Sequence, residues 1–521
     1  MCGIYWLLHT KNFTEYDVNR IKKNFENGSG RGPDFSSFIS KHNSYVGFHR
    51  LSINDLTENG HQPFEIKNCI LVCNGEVYNH KELVEEYNLV MNSSSDCEVI
   101  IHLYKMFGIS KTINLLDGVF AFALYDIQKK SLMVVRDFFG VRPLFISHDN
   151  NTVEVCSELK MCSTNQNNCI QFSPGKCMIF NFMDDKIVKT SCYNYYNLNL
   201  KNTISKNIYE KVYDSLNEAV KKRVDNTERP IGCLLSGGLD SSIIAALVKK
   251  NLNNKTKLKT FSIGLEGSVD IHYSRIMAKY LDSDHTECIV TEKEMLHSIP
   301  EVIRTIESYD TTTVRASVGN WLIGKKISET TDCKVIFNGD GSDEVAGGYL
   351  YFREAPTNQD FDLECKRLLS HIHYFDVLRS DRSISFHGLE ARTPFLDRNF
   401  VETYLRIDLD ERVSKGKSDK FIFREAFKNI LPKEILERKK EAFSDGVSSK
   451  KKSWYEIIQD YTSTKPMIKC YNNNPKTPEQ SYYRSIFLQY YKESSHVIPY
   501  FWMPKFIDAE DSSARTLKIY D

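Results

Sequence analysis

No G-x-x-x-x-G-K-[ST] loop and no G-x-G-x-x-G fingerprint occurs in the 521 residues. Both widespread nucleotide cradles are therefore excluded. There is no excess charge of either sign: 68 Lys+Arg balance 68 Asp+Glu. A broad electrostatic grip on nucleic acid or an anionic membrane is not expected. Long hydrophobic runs are missing too. A stretch such as Val119–Tyr125 is far too short to span a bilayer, and no basic segment followed by an apolar core marks a secretory signal. The 14 cysteines form no C-x-x-C pair, which argues against zinc and fits reduced thiols in the cytoplasm. What remains is a globular composition, 41% hydrophobic and 26% charged, long enough for two or three domains.

The strongest pattern lies at 231–242. An apolar run, Ile231-Gly232-Cys233-Leu234, reads as a buried strand. Leu235-Ser236-Gly237-Gly238-Leu239-Asp240-Ser241-Ser242 follows, and then Ile243–Lys250 reads as a helix. A glycine turn delivered to a helix N-terminus binds phosphate, because free N–H groups point outward at the positive end of the dipole. Ser236, Ser241 and Ser242 add hydroxyls, and Asp240 adds a carboxylate suited to magnesium. Lys334–Phe337 reads as another strand, delivering Asn338-Gly339-Asp340-Gly341-Ser342-Asp343-Glu344. On a parallel sheet two such loops face one crevice, where Asp240 and Asp343 share a Mg2+ ion.

The first half carries a different set. Cys2 becomes the N-terminus if Met1 is removed, and then holds a nucleophile and a base on one residue. Strand-like runs deliver His49-Arg50-Leu51-Ser52-Ile53-Asn54 and Asn74-Gly75-Glu76, and Ser93–Glu98 reads as a capped helix start enclosing Asp96. Ile208, Val212, Leu216 and Val220 predict a helix before the 231–242 pattern. Patterning weakens over 160–200.

S-G-G-x-D-S after a strand resembles the pyrophosphate loop of ATP pyrophosphatases. The pieces spread over most of 1–160 resemble the glutaminase domain of class II, N-terminal-nucleophile amidotransferases. Tyr309–Ser317, Gly388–Asp397, Lys440–Gly446 and Tyr500–Lys505 resemble glutamine-hydrolysing asparagine synthetases, most closely the eukaryotic form. The resemblance implies an α/β protein. An α-β-β-α sandwich at 1–200 precedes a parallel-sheet pyrophosphatase-type domain at 201–521 with a helical C-terminal part. It implies Cys2 as nucleophile and Asn74 with Gly75 as oxyanion hole. Arg50, Leu51, Ser52, Ile53, Asn54, Glu76 and Asp96 would bind L-glutamine. Leu235, Ser236, Gly237, Gly238, Asp240, Ser241, Ser242, Ile263, Asn338, Gly339 and Lys440 would bind ATP, and Thr312, Thr313, Arg315 and Glu344 the aspartate or its adenylate. Arg31 would sit near the mouth of an ammonia passage. The expected reaction converts L-aspartate to L-asparagine through β-aspartyl-AMP, in a cytoplasmic enzyme with no nucleic-acid or membrane partner and room for a homodimer. One position departs from the family pattern: Asp340 stands where the family has the Glu that helps form the adenylate. The alternatives are a β-lactam-synthetase-like ligase, which needs no glutamine hydrolysis, and a non-catalytic glutamine or nucleotide sensor, which binds ATP without releasing pyrophosphate.

Overall fold

The computed structural model describes every residue except 165–167, 184, 253–256, 414–417, 449–451, 493 and 519–521. The first half is built on two six-stranded antiparallel sheets. One runs in the order Ile170–Gln171, Phe145–His148, Thr152–Cys156, Gly3–His9, Ser44–Arg50, Phe35–Lys41. The other runs Lys186–Asn194, Lys176–Met183, Ser131–Arg136, Gly118–Asp126, Cys69–Val77, Phe64–Ile66. Alternation along each strand assigns the faces. Ile4, Trp6 and Leu8 meet Val72, Ala121, Ala123 and Val134 between the sheets. Their neighbours Tyr5 and Leu7 face Ile21 and Phe25 of the helix Glu15–Glu26. Leu71, Cys73, Phe120 and Phe122 face the helix Val99–Phe107. The central strands of both sheets are covered on both faces, which explains why they read as continuous apolar runs. The layering is the expected α-β-β-α sandwich.

Three local readings are refined. The strand that delivers Asn74 and Gly75 runs on through them to Val77, and they pair in register with Ala121 and Phe120. Ser93–Glu98 is not a serine cap. A short 3-10 turn, Asp96–Glu98, precedes the helix, and the Glu98 carboxylate gathers the N–H groups of Asn92 and Ser93 at 2.7 and 2.8 Å. The weakly patterned 160–200 region contains the hairpin Lys176–Met183/Lys186–Asn194, whose second strand is a partly exposed sheet edge.

In the second half a helix, Ile208–Asp225, leads into a five-stranded parallel sheet. Its order is Asp284–Val290, Lys259–Leu265, Ile231–Leu234, Val335–Phe337, Glu390–Arg392. From Ile231–Leu234 the chain winds outward on one side through two strands. It then returns by the helices Glu292–Ile306 and Thr311–Thr330 to Val335–Phe337 on the other side. The direction reverses between those two adjacent strands, and the crevice beyond their carboxyl ends is the natural ligand site of such a sheet. The remainder is mainly helical, including Trp454–Thr462 and Pro478–Tyr490.

Candidate functional site

Two separate sites emerge, one in each half. In the first, Cys2 lies just ahead of the strand Gly3–His9, and Asn74 lies on the facing sheet. The Cys2 backbone N–H donates to Asn74 Oδ1 at 3.0 Å, and the thiol points at the Leu51 carbonyl at 3.8 Å. Asn74 is buried, yet its Nδ2 donor has no hydrogen-bond partner. An unpaired buried donor is costly unless a ligand takes it, and this one points to an oxygen placed beside Cys2. A Cβ at Gly75 would lie 2.5 Å from the Val119 carbonyl, so only glycine lets the strands close there. With Met1 attached, Cys2 has no free amine, and burial pushes its thiol up to about 11.

Arg50 does not stand free. It donates to the Thr57 carbonyl at 2.6 Å and to the Asp55 carbonyl, which ties down the loop carrying Leu51–Asp55. Glu76 Oε2 accepts from Asn54 Nδ2 at 2.8 Å and faces Arg392 at 3.3 Å. Asp96 is buried and accepts the Val77 N–H at 2.6 Å. Arg31 spans the two halves. Its Nε donates to the Cys2 carbonyl at 2.8 Å, and its Nη1 reaches Glu158 at 3.0 Å and Asp381 at 2.8 Å.

The second site is a cleft of about 200 Å³ at the sheet's switch point. Its walls include Leu235, Ser236, Gly238, Asp240, Ser241, Ile263 and Thr312, together with Asn338, Gly339, Asp340, Asp343, Glu344 and Lys440. Gly237 shapes the loop from behind: its φ is +69°, and a Cβ there would meet the Tyr273 backbone at 2.3 Å. Ser236 and Ser241 hydroxyls bond each other at 3.0 Å. Ser242 is fully buried with no partner for its hydroxyl. The two glycine loops touch: Ser342 donates to Asp240 at 2.6 Å.

Asp240 and Asp343 do face each other. Lys420 bridges them at 2.6 and 2.7 Å, and Lys440 bonds Asp343 at 2.6 Å. Burial opposes the Asp343 charge, but the two ammonium groups more than offset that and hold its carboxyl far below the usual range. The Lys440 ammonium is held charged in return. Two carboxylates that share the Lys420 ammonium at 2.6 and 2.7 Å bring oxygen donors together at one point, the ligand type a hard divalent cation takes. Glu344 is different. Burial raises its carboxyl well above the usual range, Asp376 adds repulsion, and Tyr349 donates to it at 2.5 Å. Asp340 is anchored on one side only. Oδ1 accepts from Arg379 at 2.8 Å, while Oδ2 is buried without a partner.

Two expected aspartate-side residues sit elsewhere. Arg315 is locked bidentately to Glu479 at 2.8 and 2.5 Å and pairs with Asp511 at 2.7 Å, lining a small neighbouring cavity. Thr313 bonds Asp310, the cap of the helix Thr311–Thr330. Lys420, Arg379 and Tyr349 were missed. They lie outside the glycine-rich motifs, and only Tyr349 is near one in sequence.

A family model described as a glutamine amidotransferase domain matches residues 1–204, and one described as asparagine synthase matches 211–366 and 353–503. A protein of Gallus gallus named asparagine synthetase [glutamine-hydrolyzing] is 40% identical over 100% of this chain and 99% of its own length. Its Homo sapiens namesake is 39% identical over the same shares. Among solved structures, a glutamine phosphoribosylpyrophosphate amidotransferase from B. subtilis matches with a TM-score of 0.31 and 17% identity, over 48% of this chain and 64% of that one.

Proposed function

The chain belongs to the glutamine-hydrolysing asparagine synthetase family, and from that premise we propose how its two sites divide the work. The boundary falls at 200/201. The first unit hydrolyses L-glutamine, and the second uses ATP to convert L-aspartate into L-asparagine, with AMP, pyrophosphate and glutamate as the other products. The observation that carries this is the pairing of unsatisfied groups. Asn74 Nδ2 waits beside a terminal-region thiol, and Asp340 Oδ2 waits in a cleft built from two glycine loops.

Loss of Met1 gives Cys2 a free amine to take the thiol proton. The thiolate attacks the glutamine side-chain carbonyl while Asn74 Nδ2 and the Gly75 N–H hold the developing oxyanion. Collapse breaks the C–N bond, the Cys2 amine returns the proton to the departing ammonia, and water hydrolyses the remaining thioester to glutamate. Arg50 exchanges its loop carbonyls for the glutamine carboxylate, and Asp96 and Glu76 face its ammonium. In the cleft, Leu235 and Ile263 flank the adenine and Ser236–Ser242 hold phosphate. Asp240 and Asp343 would hold Mg2+, which when bound neutralises pyrophosphate charge. Lys440 and Lys420 contribute positive charge at the same point. Thr312 and Glu344 lie on the aspartate side, and Asp340 Oδ2 orients the adenylate. Ammonia crosses between the halves past Arg31, out of bulk water, so it stays unprotonated and nucleophilic. Among the described residues no helix is long and apolar enough to cross a membrane; we place the enzyme in the cytoplasm, with homodimerisation compatible.

The test is product analysis with aspartate, glutamine and Mg-ATP. Asparagine with AMP and pyrophosphate is expected. ADP in place of AMP would refute the adenylate.

A further inference from the structure

The loop that carries the glutamine-side residues is held by the opposite half of the chain. Residues 226–230 join the helix Ile208–Asp225 to the strand Ile231–Leu234. This connection lies along residues 52–55 and bonds them one after another. Arg229 Nε donates to the Ser52 carbonyl at 2.8 Å. The Glu228 N–H donates to the Ile53 carbonyl at 3.1 Å, and Glu228 Oε1 accepts the Asp55 N–H at 2.9 Å. Asn226 Nδ2 donates to Glu76 Oε2 at 2.7 Å, the same oxygen that accepts from Asn54. The connection is itself braced, since Arg392 donates to the Asn226 carbonyl at 2.9 Å.

Arg50 bonds the opposite edge of the same loop, at the carbonyls of Asp55 and Thr57. A shift of this loop would therefore move the carbonyls that hold the guanidinium. Leu51 and Ile53 are packed into the core, and Asp34 Oδ2 accepts the Ser52 N–H at 2.8 Å. The Ser52 and Ile53 carbonyls and the Asp55 N–H are held by 226–229, which leads into the strand that delivers Leu235–Gly238.

We propose that Glu228, with Asn226 and Arg229, is a positioning residue of the glutamine pocket, acting on affinity through the Leu51–Asp55 loop. The proposal rests on the reading of Arg50 and Cys2 as the glutamine site. It does not require Glu228 to touch substrate. The Glu228 side chain is exposed and its one side-chain bond is partly buried; a single hydrogen bond adds modestly to global stability, so its removal spares folding.

The test compares Glu228→Ala and Glu228→Gln with the parent enzyme in glutamine hydrolysis and in synthesis driven by glutamine or by ammonia. In Glu228→Ala the KM for glutamine is expected to rise about tenfold with kcat nearly unchanged, the scale of losing one hydrogen bond that holds the loop. Ammonia-driven synthesis and the thermal midpoint stay at parent values. Glu228→Gln keeps an acceptor for the Asp55 N–H and restores the parent KM. An unmoved KM in Glu228→Ala overturns the proposal, as does a parallel loss of ammonia-driven synthesis. A parent enzyme that releases no glutamate overturns the reading of Cys2 and the proposal with it.

Discussion

Asp340 is one methylene shorter than the glutamate expected from the family pattern, and its surroundings show how the shorter stem is used. Arg379 binds Oδ1 at 2.8 Å and Asp376 at 2.9 Å, so the carboxylate is held by one oxygen and offers the other. A fixed charge with one free oxygen can orient a reacting group without reorganising. Asp340→Asn should therefore lower asparagine formation by about 10²-fold or more, while glutamate release from glutamine stays at the parent rate. Asp340→Glu should remain within about tenfold of the parent, since the charge is kept and only its reach changes. Equal loss in both halves' activities would mean Asp340 matters to folding instead. Asn74 makes a parallel case in the other site. Its Nδ2 is the buried donor without a partner, and Asn74→Ala should cut the kcat of glutamine hydrolysis by about 10²–10³, the usual cost of one oxyanion donor. Ammonia-driven synthesis, assayed on the same preparation, should not change.

The helix Asp376–Ser385 works at both of its ends. At one end Asp376 and Arg379 hold Asp340. At the other, Asp381 and Ser385 bind Arg31 at 2.8 and 3.0 Å, and Arg31 holds the Cys2 carbonyl. A rigid helix of ten residues thus joins the thiol's neighbourhood to the adenylate's. Asp381→Asn keeps the shape but removes the charge that pairs with Arg31. The expected result is a lower ratio of asparagine formed to glutamine hydrolysed, measured by quantifying both products, with ammonia-driven synthesis preserved. Arg31 and Asp340 stand out in the sequence by resemblance, but the helix that joins them was not legible there. The strands, the 231–242 loop and the helix Ile208–Asp225 could be read, because each depends on neighbours within a dozen residues. That Arg315 pairs with Glu479 and Asp511 was not legible, because those partners lie more than 160 residues away. Lys420 was passed over for the same reason: only the folded chain brings it onto Asp240 and Asp343. Motif residues are legible when the chemistry is local. Counter-ions recruited from distant segments are not.

Across the whole molecule the two halves share apolar cores, in which Phe138, Phe139 and Val141 of the first pack in one cluster with Val212 and Leu216 of the second, and buried charge pairs run through the same contact. Glu158 on the first half pairs with Lys160 at 2.6 Å and Arg31 at 3.0 Å, and Arg31 carries the contact to Asp381 on the second. Burial works against the Glu158 charge, but Lys160 and Arg31 more than offset it and hold the carboxyl well below its ordinary value of 4.5. Glu390 is depressed in the same way: burial opposes its charge, and Arg392 and Arg142 overcome that. A depressed folded pKa means the unfolded chain binds more protons as the solution is acidified. The stabilisation is therefore complete above the unfolded value near 4.5 and is lost as pH falls from there toward the folded value. Removing one partner of a buried pair costs about 3–5 kcal/mol, because it strands the other charge. Glu158→Gln should thus lower the urea midpoint at pH 7, and it should also flatten the midpoint's fall between about pH 4.5 and 3 relative to the parent. Unfolding curves at several pH values would check this. A variant that loses stability at neutral pH yet keeps the parent's acid slope would show that Glu158 is not the group that titrates. The acid sensitivity would then belong to other depressed carboxylates, Glu390 among them.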